Sequence, residues 1–298
     1  VKKRLGIFLL FTFALSWLLA LALALCGGLA APWARLALAA IMLVPALGML
    51  FTRIVTKEGF ADAGLRPRFR GHIRYYVLAW LLPPVLIALG AVLYFICFPA
   101  QFDANMTGIL QTYAAQGVDI PAQTLRQAVL LQLVLAVFIA PVLNIIPTLG
   151  EELGWRAYLL PKLCQRYTPL QASLLTGVIW GVWHAPIIAM GYNYGLGYPG
   201  APWGGIAAMV VFCVFVGALF SYWTLKAGSV YPAAIAHGAL NGFASAAAAF
   251  VVGKPNIFLG PLPVGLIGGA GLLVAGVVSM VLLQRMRRQT AGQDAEAV

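Results

Sequence analysis

Charge is what this sequence has least of. Of its 298 residues only 9% are Asp, Glu, Lys or Arg, while 62% are hydrophobic, against roughly 25% and 45–50% in soluble domains. That scarcity excludes an ordinary water-soluble globular domain. Acidic side chains are rarer still, eight against nineteen basic ones, for a net charge of +11. A basic excess raises the question of nucleic acid. The Lys and Arg residues, however, lie in short connections beside apolar runs, where they orient spans and meet anionic headgroups. No nucleic-acid partner is therefore expected. Cysteine is sparse, and Cys26, Cys97, Cys164 and Cys213 show no CxxC spacing, which argues against a cysteine metal site or a disulfide framework. Neither GxSxG nor HExxH occurs, and Ser173 and Ser221 have no legible triad arrangement, which argues against a serine nucleophile.

What is present in quantity is apolar sequence in runs of about 20 residues, each long enough to cross about 30 Å of hydrocarbon as a helix. The expected fold is all-α, a polytopic transmembrane bundle of about eight spans: Leu5 to Ala31, Leu36 to Phe51, Tyr75 to Phe98, Ala128 to Ile146, Leu170 to Met190, Trp203 to Leu225, Val230 to Val252 and Pro263 to Gln284. Residues 1–298 read as a single integral membrane domain, with the chemistry carried in 128–250 and a polar cytoplasmic tail at 285–298. The first run follows Lys2, Lys3 and Arg4 but is longer than a secretory leader, so an uncleaved span is expected.

Placing the amino terminus in the cytoplasm and letting each span cross once puts all but Arg35, Arg126 and Lys254 of the nineteen basic residues on the cytoplasmic side. The bias predicts that both termini are cytoplasmic. The connection from Arg53 to Arg74 is the most basic part of the chain and is expected on the headgroups, partly as an amphipathic segment. Tyr192, Tyr194, Tyr198 and Trp203 read as an aromatic belt on the other side.

An ionisable group inside a span is expensive and marks function by default. Among the acids only Glu151 and Glu152 adjoin apolar runs on both sides, and of the three histidines His184 and His237 fall within spans. Pro147 suggests that a helix breaks and restarts there, in which case Thr148 and Glu151 have the spacing of a capping box. Glu152 and Arg156 are one turn apart, in the favourable order for an ion pair, and Glu151 points about 100° away. Trp180 precedes His184 by one turn, and Asn241 follows His237 by one turn beside the small residues Ala234, Gly238 and Gly242. A carboxylate with an imidazole can deprotonate a water, and a second imidazole with an amide can stabilise an oxyanion. Those are the parts of a hydrolase.

Glu151-Glu152-x-x-x-Arg156, Trp180-x-x-x-His184 and His237-x-x-x-Asn241 resemble, in order, the three signature motifs of the CAAX-processing and bacteriocin-immunity (CPBP, or Abi) intramembrane proteases. The family usually has Phe where this chain has Trp180. The resemblance implies that Glu151 activates a water with help from His184, that Glu152 and Arg156 pair to hold the motif, and that His237 and Asn241 stabilise the oxyanion. It implies a membrane-associated protein or peptide as substrate and the lipid bilayer as surroundings; the basic tail favours a bacterial inner membrane. Either no cofactor or a divalent metal is compatible, since Glu151, His184 and His237 could form a two-histidine, one-carboxylate zinc shell. The pairing of Asn241 with His237 favours the metal-free form. A proton-coupled transporter and a non-catalytic immunity or scaffold protein are the competing readings.

Overall fold

The structure, a computed structural model, describes the backbone of residues 1–296 and the side chains of residues 1–286. The part of the expected tail that carries Arg287, Arg288, Asp294 and Glu296 lies outside the described side chains. The described residues are all-α, with no strand and one isolated bridge, Phe102 with Val251. In chain order the helices are α1 (Lys2–Leu25), α2 (Ala34–Val55), α3 (Ile73–Cys97), α4 (Thr107–Ala115), α5 (Ala122–Phe138), α6 (Ala140–Leu143), α7 (Ile145–Gly154), α8 (Leu160–Cys164), α9 (Pro169–Trp183), α10 (Ala185–Ala189), α11 (Trp203–Ala227), α12 (Tyr231–Phe243) and α13 (Ala270–Glu296).

Among the described residues five segments are long and apolar enough to cross a membrane: α1, α2, α3, α11, and α12 with the 3-10 turn that extends it to Phe250. The other expected spans take shorter or broken forms. The fourth is α5, stopped at Ile139 ahead of Pro141. The fifth divides at His184, where Pro186 begins a new turn, because proline cannot return a hydrogen bond to the preceding turn. The eighth begins at Ala270 rather than Pro263. The chain packs as two compact units.

The first unit comprises Val1–Tyr76, Ile145–Ala234 and the chain from Leu273 on. In it α7 lies along α2 and α9 along α11. Both seams are made by glycine pairs one turn apart, which let backbones approach where no hydrophobic effect drives helices together. A Cβ at Gly154 would lie 2.4 Å from the Pro45 ring, and one at Gly181 would lie 2.5 Å from Val210 Cα. Gly150 and Gly177 are crowded too, a Cβ there lying 2.8 Å from the Met42 carbonyl and 2.7 Å from Val214 Cα. Phe8 of α1 packs on Trp155 and Tyr158, at 5.9 Å and 5.0 Å between ring centroids. The stretch after α7 is thereby held on its apolar side as well.

The second unit comprises Val77–Asn144 and Ile235–Leu272. The small residues of α12 act as expected: Gly238 and Gly242 admit α6 and the residue after it, since a Cβ at Gly238 would stand 3.0 Å from the Pro141 carbonyl and one at Gly242 2.3 Å from Ala140 Cβ. Asn144 donates to the Gly238 carbonyl at 3.2 Å.

Candidate active site

Glu151 and Glu152 are both buried on α7, which begins at Ile145. Thr148 therefore lies inside the helix rather than at its start, and its hydroxyl donates to the Ala234 carbonyl at 3.0 Å. The capping-box arrangement is not formed. The helix restarts after Asn144, ahead of Pro147, which falls in the first turn.

Beyond Gly154 the chain makes a π-turn over Trp155–Leu159 before α8 resumes. Pro161 explains it: without an N–H it cannot close the bond to Ala157, and the helix widens by one residue. Glu152 and Arg156 face each other across this junction. Arg156 Nη1 stands 3.2 Å from Glu152 Oε1 and 3.1 Å from Oε2, and both side chains are fully buried. The guanidinium lies over Trp180 at 4.2 Å and near the Phe220 ring at 5.4 Å. Gly217 opposite leaves it room, since a Cβ there would come within 3.1 Å of Nη2. Two aromatic faces thus serve the part of the cation that the carboxylate does not.

Trp180 joins the two remaining motif residues of this unit. Its indole Nε1–H donates to Glu151 Oε2 at 2.7 Å, and its carbonyl lies 2.8 Å from His184 Nδ1. A carbonyl can only accept, so the proton of a neutral His184 sits on Nδ1 and Nε2 is the basic nitrogen. Trp183 packs on the same imidazole at 4.8 Å and 83°, and Cys213 Sγ is 4.0 Å from Nδ1. His184 terminates α9, where the Pro186 break turns the chain. The break thus sets the histidine at a helix end, with its tautomer fixed by the last turn.

His237 and Asn241 belong to the second unit. Both lie on α12 one turn apart, His237 buried and Asn241 exposed. Among the described residues no three His, Cys, Asp or Glu side chains gather as a group able to hold a metal ion. Of the expected shell, Glu151 and His184 lie in the first unit and His237 in the second.

One acid that the sequence leaves as an ordinary loop residue proves structural. Glu58 accepts from Tyr158 Oη at 2.8 Å and pairs with Lys162 Nζ at 2.6 Å and Arg4 Nε at 3.2 Å. Burial pushes its carboxyl up, but hydrogen bonds from Lys162, Tyr158 and Thr56 and the Lys162 charge outweigh that and hold it below its ordinary value. Glu58 thereby fastens the π-turn and α8, the continuation of the helix that carries Glu151.

Residues 126–243 match the family model of the Rce1-like type II CAAX prenyl endopeptidases, a range that contains all three motifs. A curated relative, CAAX prenyl protease 2 of Methanococcus maripaludis, is 46% identical over 44 residues. That similarity covers 15% of this chain and 16% of the relative's length. With its membrane-length helices and this membrane-protein family, the chain is an integral membrane protein.

Proposed function

We propose that this chain, which belongs to the CAAX-processing and bacteriocin-immunity (CPBP, or Abi) family through residues 126–243, is an intramembrane endopeptidase that hydrolyses a peptide bond with a water activated by Glu151. The observation that carries the reading is the bridge made by Trp180, whose indole holds Glu151 and whose carbonyl orients His184. A carboxylate held in place can take a proton from a water, and an imidazole with its proton on Nδ1 can accept at Nε2. Glu152 and Arg156 touch no reacting atom in this scheme. They hold α7 in register against α9, and they are positioning residues. His237 and Asn241 take the oxyanion role that the family resemblance gives them, donating to the carbonyl oxygen as negative charge develops on it.

The substrate is a membrane-associated protein or peptide. The distribution of Lys and Arg supports cytoplasmic termini and a bacterial inner membrane as the setting. The test is cleavage of membrane-anchored peptide reporters by the full chain in liposomes, with products identified by mass spectrometry. Glu151→Gln is expected to lower the rate by about 10³-fold, within the roughly 10²–10⁴-fold range of general-base catalysis, with unfolding temperature nearly unchanged. His237→Ala and Asn241→Ala are each expected to lower kcat with little change in KM. Undiminished cleavage by Glu151→Gln would overturn the reading.

A further inference from the structure

The loop joining α2 to α3 borders a half-open cavity of about 300 Å³, lined by Phe60, Asp62, Leu65, Arg66 and Arg68, with Gly228 at the end of α11 on its wall. Its walls are fixed by hydrogen bonds rather than draped over the surface. The Gly64 carbonyl accepts from Val230 N at 3.0 Å, and Arg68 N donates to Tyr76 Oη at 3.2 Å. Tyr76 Oη in turn donates to Ser229 Oγ at 3.1 Å. Gly228 adopts φ +59°, and a Cβ on it would approach within 3.1 Å of Arg68 Nη1. Glycine is needed here both for the backbone and for the guanidinium.

The charges of the cavity do not cancel. Asp62, its one acid, is bound by Arg53 Nη1 at 2.6 Å, with Lys162 Nζ at 3.6 Å. No carboxylate among the described residues pairs with Arg66 or Arg68. Two guanidiniums, each a planar fork of donors suited to a phosphate, therefore face the cavity uncompensated. Around them Phe60, Leu65 and Phe69 are exposed, the mixture of apolar and basic side chains that seats a segment at the headgroup boundary of a bilayer. The ion pair of Arg4 with Glu58 ties this loop to the start of α1, where Lys2 and Lys3 also lie. The volume is at the small end of ligand clefts, which run to roughly 300–1,000 Å³. It suits a headgroup and not a peptide segment.

We propose that this cavity binds the phosphate of an anionic phospholipid headgroup through Arg66 and Arg68. The site uses none of the residues assigned to peptide hydrolysis, and it stands or falls apart from that function. The test is native mass spectrometry of the full chain released from micelles that contain phosphatidylglycerol or phosphatidylcholine. The wild-type protein retains one phosphatidylglycerol in preference to phosphatidylcholine. Arg66→Gln with Arg68→Gln lowers that retention about tenfold or more, as expected from two lost basic contacts at the headgroup level. Arg66→Gln alone, which removes no hydrogen bond of the loop, lowers it severalfold, and Arg70→Gln outside the cavity leaves it unchanged. Millimolar inorganic phosphate does not displace the lipid, because the acyl chains add to its binding. Equal retention of the two lipids, or retention untouched by the double substitution, would overturn the proposal. Displacement by inorganic phosphate would assign the cavity to free phosphate, and displacement by a peptide with a free terminal carboxylate would assign it to a peptide. Either result also overturns the proposal.

Discussion

At the scale of single residues, the two polar ends of Trp180 do different work. The indole N–H holds a carboxylate, while the backbone carbonyl sets a histidine tautomer. Trp180→Phe separates them, since it keeps a ring over Arg156 and removes only the donor to Glu151. A hydrogen bond to a charged group contributes about 1.5–3 kcal/mol, so kcat is expected to fall about tenfold or somewhat more while KM moves little; steady-state kinetics on a membrane-anchored reporter checks it. Glu151, Glu152, His184 and His237 were legible in the sequence because an ionisable side chain in an apolar run stands out by its desolvation cost. The donor role of Trp180 was not legible. An indole in such a run reads as packing, and only the placement of α9 beside α7 turns Nε1 toward the acid. Thr148 misleads for a related reason: capping depends on where the helix begins, and the break falls at Asn144, ahead of Pro147.

At the scale of elements, the glycine pairs and the Glu58 clamp fix where α7 and α9 lie. Gly181→Leu forces a side chain into Val210, and overpacking of this kind costs about 1–3 kcal/mol. It is expected to lower the unfolding temperature and the activity together, as measured by thermal unfolding in detergent. These pairs are readable as small residues one turn apart, but their partners on α2 and α11 are set by tertiary packing. Glu58 gives an expectation for pH. Its folded pKa lies below the ordinary 4.5, so its contribution is complete above that value and is lost as pH falls through the lower, folded value. The wild-type unfolding temperature should therefore drop more steeply below about pH 4.5 than that of Glu58→Gln, and the two curves should converge in acid. Parallel curves would show that the clamp contributes nothing. The sequence could not single out Glu58, because its partners Tyr158 and Lys162 lie a hundred residues further along the chain.

At the scale of the whole molecule, the all-α membrane fold was legible from hydropathy because lipid leaves the backbone few alternatives to the helix. The broken spans were less so, since a run of apolar residues does not say whether Pro141 or Pro186 bends a helix or ends it. Donor placement bears on metal dependence as well. Protein purified without added zinc is expected to cleave its reporter at an unchanged rate after chelation, with zinc well below one per chain by elemental analysis. Stoichiometric zinc that disappears with activity in Glu151→Gln would contradict this. Glu151 and His184 act on one water as a single device in the proposed reaction. Residues that work as a unit give strongly non-additive losses. The direct measurement is a double-mutant cycle of Glu151→Gln and His184→Ala for reporter cleavage in liposomes. The double variant is expected to be no slower than Glu151→Gln alone, within about threefold. Losses that multiply would contradict it, as would a Glu151→Gln enzyme that cleaves at an undiminished rate.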